Sequence, residues 1–204
     1  MHEDHIIGKT LGDMDFLERV GPDWWERDTD YYFADKKVLI FGLPGAFTPT
    51  CSTKQLPEYE QMYTKIKEAG NLDEIYCTSV NDAFVMNAWR EQQGVEKVKF
   101  INDGNHVLSD EMGVSCDFRV KGFDTRSWRY AAIVDNKVVK NIWIEDGYRN
   151  PMGSRNDDPY EVSSPQYVME HINDDYETAM RTLYARRGLE YNAAPSINDN
   201  GLTS

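Results

Sequence analysis

Three short strand-like segments constrain this chain more than any other feature: "KKVLIFGL" (36–43), "EIYCTSV" (74–80) and "KVKFIND" (97–103). The first, bounded by lysines and by Pro-Gly, has the look of a strand buried on both faces. Between the segments lie two stretches with helical spacing. One starts near Pro49 or Thr50, places Leu56, Tyr59, Tyr63 and Ile66 on one face, and closes at Gly70. Pro57 sits inside it, which predicts a kink or a break. The other, "NDAFVMNAWREQQG", takes Asn81 or Asp82 as its N-cap and turns Phe84, Val85, Ala88 and Trp89 inward. Strand, helix, strand, helix, strand is the order of a parallel sheet covered by helices.

The rest of the chain completes that plan. "SDEMGV" (109–114) reads as a short helix, and "SWRYAAIVDNKVVKNIWIE" (127–145) as a β-hairpin turning at Asp135-Asn136. Residues 146–165 read as loop, and 164–188 as one helix or two joined near Asn173. Residues 1–36 read as irregular, with the aromatics of "WWERDTDYYF" packing on the domain, and 189–204 as a mobile tail. The fold expected is α/β: a central mixed β-sheet flanked by helices, in the layout of a thioredoxin-like core. One such domain is expected over 1–173, with a C-terminal helical extension and tail over 174–204.

Charge and composition exclude several classes. A net charge of −13 disfavours nucleic acid, whose binding needs positive charge to displace counterions, and disfavours anionic lipid. No run approaches the roughly 18 apolar residues of a membrane span. The acidic N-terminus lacks the basic-then-apolar order of a signal peptide, so a cytoplasmic protein is expected. Three cysteines, Cys51, Cys77 and Cys116, make no disulfide framework and fit a reducing compartment. No Cys-x-x-Cys occurs, and only His2 and His5 among the four histidines lie close in sequence, so no metal is expected.

Cys51 raises the functional question. It stands in "PGAFTPTC", directly after the first strand and in the first turn of a helix. Unpaired N–H groups and the helix dipole favour a thiolate there, and the thiolate is the nucleophile. The residues alone leave two readings open, a buried core thiol or a reactive one. A cysteine hydrolase would also need an oriented histidine base, and neither His106 nor His171 has a suggestive setting. A dithiol oxidoreductase would need a cysteine where Thr48 stands.

"PGAFTPTCS" resembles the active-site signature of the peroxiredoxins, in particular the peroxiredoxin-5 or type II subfamily. "SVNDAFVMNAW" (79–89), "TRSWRYAAIVDN" (125–136) and "DPYEVSSP" (158–165) resemble further segments of that subfamily, in order and at its spacing. The similarity runs over about residues 5–173. It is nearest to the peroxiredoxin part of bacterial peroxiredoxin–glutaredoxin hybrids. The resemblance implies a thiol peroxidase with no cofactor and no metal, acting on hydrogen peroxide and alkyl hydroperoxides. It implies that Cys51 is the peroxidatic cysteine and that Pro44, Thr48 and Arg129 are its active-site partners, with Arg126 ranked second to Arg129. Cys51 would become a sulfenic acid. The fork of Arg129 would hold the thiolate and bond the peroxide. The Thr48 hydroxyl would bridge peroxide and sulfur. N–H groups at Thr50 and Cys51 would face the leaving oxygen, and Pro44 would shield the thiolate. Read structurally instead, Thr48 is a helix N-cap and Arg129 a surface ion pair.

Resetting the sulfenic acid is less determined. The family often has a cysteine where Cys77 stands, a suggested resolving partner in plant members, but the residue itself reads as strand core. Cys116 reads as more exposed and has no family motif around it. A one-cysteine cycle is therefore expected, with glutathione or glutaredoxin as external reductant and thioredoxin as the alternative. No glutaredoxin-type site occurs in 174–204, so a separate glutaredoxin is the expected partner. The resemblance further implies a homodimer packed near the active-site loops. Two other readings stand beside this one: an atypical two-cysteine cycle through Cys77 with thioredoxin, and a non-enzymatic peroxide sensor or holdase using Cys51.

Overall fold

The structure, a computed structural model, describes residues 6–147, 158–175 and scattered positions between 178 and 190. Its centre is a five-stranded mixed sheet in the order β5-β4-β3-β8-β9. The strands are β3 (Lys37–Gly42), β4 (Glu74–Ser79), β5 (Lys99–Asn102), β8 (Tyr130–Asp135) and β9 (Val138–Ile144). β3, β4 and β5 run parallel, and β8 and β9 add on antiparallel. The expected split into a parallel half and an antiparallel hairpin is therefore found. The hairpin turns through Asn136 and Lys137, both at positive φ (45° and 68°). This is the conformation a tight two-residue connection demands.

Alternation along β3 divides the core. Val38 and Ile40 join a cluster with Phe16, Tyr32, Phe33, Tyr130 and Cys116. Leu39 and Phe41 join Cys51, Leu56, Tyr59, Cys77 and Trp89 on the other face. That second face is covered by α2, a π-helical segment Cys51–Gln55 running into an α-helix Leu56–Gly70, and by α3 (Ala83–Gln93). α2 ends on Asn71 in the left-handed conformation. Close approach decides two positions. A Cβ on Gly42 would lie 2.0 Å from the ring of Tyr130, and one on Gly70 would lie 2.5 Å from Ile172.

Three expectations need correction. Residues 1–36 are not all irregular: β1 (Asp15–Val20) and β2 (Asp23–Asp28) form an antiparallel hairpin, and α1 (Thr29–Phe33) follows with Asp28 as its cap. Only Phe16 of the hairpin strands is buried, so no run of core residues marks it. Tyr32 and Phe33 pack inward as expected, but Trp24 and Trp25 are each 49% exposed. On α3 the inward face is Ala83, Met86 and Trp89, while Phe84 and Ala88 face solvent. Phe84 lies edge-on to Trp24 at 5.5 Å with Arg19 stacked over it at 4.8 Å, a satellite apolar cluster outside the core. Third, Cys116 is buried in β6 (Ser115–Asp117), which pairs with β7 (Thr125–Ser127).

α4 (Val107–Glu111) is the expected short helix, begun two residues earlier. Its N-terminus is held by buried Asp103, which accepts from the N–H groups of Leu108 and Ser109. α5 (Pro165–His171) follows the loop at 158–164. The expected continuation to 188 and the tail lie largely outside the described residues, as does 148–157. The chain divides into two compact units, Met1–Ile172 and Asn173–Ser204. Every strand and helix above belongs to the first.

Candidate active site

The site is built at the carboxyl end of β3. Where the strand stops, Leu43 N–H donates to Thr78 O on β4, and Pro44 is buried. The following loop carries Phe47 at φ 63°, an uncommon conformation for an aromatic residue, with its side chain half exposed. Asn81 fixes this loop: its Oδ1 accepts from Ala46 N–H (3.0 Å) and from Ser79 Oγ (2.8 Å). Asp82, not Asn81, caps α3, accepting from Phe84 and Val85 N–H. Thr48 turns its hydroxyl onto Gly45 O (2.8 Å), and its own carbonyl accepts from Ser52 N–H (3.0 Å). Its side chain is thus committed to the loop, and no side chain caps this helix. Thr50 is the residue at that cap position and is half-buried.

Cys51 opens the π segment and is fully buried. Arg129 comes from the residue just before β8 and is 1% exposed. Its Nη1 lies 3.5 Å from Cys51 Sγ and also donates to Gln55 Oε1, and its Nη2 donates to Asp158 Oδ1. The ring of Tyr160 stands 5.8 Å from the guanidinium carbon. Arg129 Nε is buried with no hydrogen-bond partner among the described residues. Desolvation works against the Arg129 charge, but Cys51 and Asp158 more than offset it, and the guanidinium is held above its usual range.

Arg126 does not share this site's sulfur. Its Nη1 donates to Val80 O (2.9 Å) and its Nε to Phe123 O (3.2 Å), bracing the strand end that carries Asn81. Cys77 lies in the same core cluster as Cys51, opposite Phe41 in β4, and burial pushes its thiol well up. Cys116 belongs to the cluster on the other face of the sheet, and burial pushes its thiol up to about 12. Neither favours the nucleophilic thiolate.

Four contributors have no site role in the sequence reading, although Asn81, Asp158 and Tyr160 lie in its family-like segments. Gln55 had a usable signal, since a residue four after Cys51 on a helix lies on the same face. The sequence suggests for Asn81 only a helix cap, whereas its Oδ1 holds the loop at Ala46. Asp158 and Tyr160 reach the site through tertiary folding alone. Glu145 holds their segment in place: its carboxylate accepts from Glu161 N–H (2.6 Å), Ser163 N–H (2.9 Å) and Ser163 Oγ (2.7 Å). Tyr59 OH donates to Ser163 O from below (2.8 Å).

A buried cysteine at a strand–helix junction, bonded by an equally buried arginine on a thioredoxin-like sheet, defines a thiol-redox site. The redoxin family matches over residues 25–157. A peroxiredoxin of Rhizobium etli is 49% identical over 146 residues, covering 72% of this chain and 79% of its own. The hybrid peroxiredoxin hyPrx5 of Haemophilus influenzae is 36% identical over 199 residues, covering 96% and 79%. Among solved structures, the Plasmodium falciparum antioxidant protein, a 1-Cys peroxiredoxin, superposes with a TM-score of 0.75 at 30% identity, covering 82% and 99%. The chain belongs to the redoxin family and is a peroxiredoxin, a thiol-dependent peroxidase.

Proposed function

We propose that Cys51 is the peroxidatic thiolate and that Pro44, Thr48, Thr50 and Arg129 serve it. The thiolate attacks one oxygen of a hydroperoxide. The S–O bond forms, the O–O bond breaks, and the departing oxygen leaves with the electron pair and takes a proton. Sulfur becomes sulfenic acid, and the peroxide becomes water or an alcohol. The observation that carries this reading is the Arg129 guanidinium, bonded to Cys51 Sγ at 3.5 Å with its Nε–H still unpaired. In this reading a peroxide oxygen seated beside the sulfur would satisfy that buried donor. Thr48 and the N–H groups near Thr50 frame the opposite side, and Pro44 excludes water.

The cycle proposed is of the one-cysteine type, reset by glutathione and glutaredoxin, with thioredoxin as the alternative. Burial of Cys77 and Cys116, the high pKa of both thiols, and the placement of Cys116 across the sheet support it. So does the likeness to a hybrid and to a 1-Cys peroxiredoxin. A cytoplasmic location fits three cysteines that form no disulfide. A homodimer on the active-site loops fits the half-exposed Phe47 of that loop. We assign 1–173 to the peroxidase domain and 174–204 to an extension.

The test is a reconstituted peroxidase assay with glutathione plus glutaredoxin against thioredoxin, on the wild type and each cysteine variant. Cys51→Ser should abolish turnover, while Cys77→Ser and Cys116→Ser should sustain it with glutaredoxin. Residual turnover in Cys51→Ser would remove the assignment. Loss in Cys77→Ser, together with a Cys51–Cys77 disulfide by mass spectrometry, would replace the one-cysteine cycle.

A further inference from the structure

We propose that Asp158 sets which hydroperoxides Cys51 accepts, favouring uncharged ones and disfavouring those that carry negative charge. The inference rests on the peroxidase reading above and concerns the selectivity of that same site. One buried cation serves two anionic groups: Arg129 Nη1 faces Cys51 Sγ and Nη2 holds the Asp158 carboxylate. The Arg129 side chain is 1% exposed and that of Asp158 36%, so the carboxylate forms the solvent-facing side of the pair. Tyr160 turns its ring to the same guanidinium and donates its hydroxyl to Glu58 Oε2 (2.6 Å), so a second carboxylate stands behind it. The segment is a built wall. Glu145 takes three hydrogen bonds from it and Tyr59 adds a fourth.

The charge count follows. With Cys51 as thiolate, the Arg129 guanidinium directly faces two negative charges before substrate enters, Cys51 Sγ and the Asp158 carboxylate. A neutral peroxide leaves that sum unchanged. An anionic one adds a further negative charge beside a buried guanidinium that is already shared between two anionic groups. Rejection is thus supplied by a repulsive element beside the attractive one, as specificity often requires. The chain's overall charge of −13 acts in the same sense at longer range, but salt screens it.

The pair of probes is hydrogen peroxide and peroxymonosulfate, a small peroxide that is an anion at neutral pH. Both give the same product on sulfur. With hydrogen peroxide the thiolate takes one oxygen, and hydroxide leaves and is protonated to water. With peroxymonosulfate the S–O bond forms, the O–O bond breaks, and sulfate leaves with the electron pair. The pre-reduced full chain is mixed with each oxidant, and Cys51 sulfenic acid is trapped and counted by mass spectrometry. The quantity read is the ratio of the two rate constants, which cancels the oxidants' intrinsic reactivities between variants. Asp158→Asn should raise the peroxymonosulfate-to-peroxide ratio about tenfold at low salt, and Asp158→Glu should restore it. Added salt should raise the ratio more in the wild type than in Asp158→Asn, where only the chain's overall negative charge is left to screen. A ratio unchanged to within about twofold overturns the proposal, even if both rates fall together. An equal fall would mean that Asp158 only orients Arg129. If hydrogen peroxide fails to oxidise Cys51 in the wild type, the peroxidase reading falls and selectivity falls with it. A flat ratio in an active enzyme removes the selectivity alone.

Discussion

Replacing Arg129 by alanine is the sharpest perturbation of this site. The substitution removes a donor to Cys51 Sγ, a donor to Gln55, the partner of Asp158, and the unpaired Nε–H. Two of these bear on the reaction. On the proposed assignment the bond to sulfur supports the thiolate, and the unpaired Nε–H would meet charge on the peroxide oxygens. Loss of one preorganised donor of this kind typically slows a reaction 10²–10³-fold, about 3–4 kcal/mol. Cys51 oxidation by hydrogen peroxide should therefore slow by at least about 100-fold. Arg129→Lys keeps a charge but loses the planar fork, so its loss should be smaller, roughly tenfold. A second effect follows from the same contacts. Gln55 Oε1 is left buried without this donor, which costs about 1–3 kcal/mol. For a chain of this size that lowers Tm by roughly 2–4 °C per kcal/mol, so the assay belongs well below the transition. Stopped-flow mixing of the pre-reduced protein with hydrogen peroxide reads the rate directly, and circular dichroism reports the fold. If folded Arg129→Ala reacts within about threefold of wild type, the guanidinium is a structural pair and the proposed role fails.

Three further outcomes are expected. Gly42→Ala should destabilise by about 1–3 kcal/mol or more, read by denaturant midpoint, because the added methyl meets the fully buried ring of Tyr130. Glu145→Ala should release the 158–164 wall, slowing Cys51 oxidation and raising proteolysis there, since three donors lose one buried acceptor; wild-type proteolysis would contradict it. The third concerns pH. Cys116 stays protonated in the folded state up to about pH 12, whereas an unfolded thiol titrates near ~8.5. The folded pKa is the higher one, so the contribution is complete below pH ~8.5 and is lost as pH rises towards 12, at about 1.4 kcal/mol per pH unit. Cys116→Ala should flatten the fall in urea midpoint between pH ~8.5 and ~10 relative to wild type, and parallel profiles would refute the burial argument.

What was legible in the sequence follows the reach of each signal. β3 and β4 are buried runs with turn residues at their ends, so composition and length suffice to find them. The β1–β2 hairpin is nearly all polar or exposed aromatic, and only its tertiary docking, with Phe16 edge-on to Tyr32 at 5.3 Å, makes it structure. On α3 Trp89 is inward as expected, but Phe84 is apolar yet serves Trp24 and Arg19 outside the core. In the site, Pro44, Thr48 and Cys51 form a local motif, and family resemblance carried the reading to Arg129. Asp158 and Tyr160 lie in the family-like "DPYEVSSP", but the resemblance assigns them no site role. Their place depends on Glu145 gathering the backbone of 161–163, and no local pattern announces that closure.

Pro57 shows how a single residue links the fold to the chemistry. The sequence predicts a kink or break there, and the break is real but lies just upstream. Proline has no N–H, so an α-helical bond from residue 57 back to Thr53 O cannot form. The chain instead takes the wider π turn through Cys51–Gln55, where Leu56 N–H donates to Cys51 O, five residues back. Regular α geometry resumes at Leu56 with proline in the first turn, where its missing donor costs little. The widened turn sits over the end of β3. Gln55 Nε2 reaches Gly42 O (3.4 Å), while its Oε1 accepts from the same Arg129 nitrogen that faces Cys51. Gln55 thereby ties the strand end, the helix start and the guanidinium together. The helix defect imposed by Pro57 is part of what places sulfur and arginine in contact.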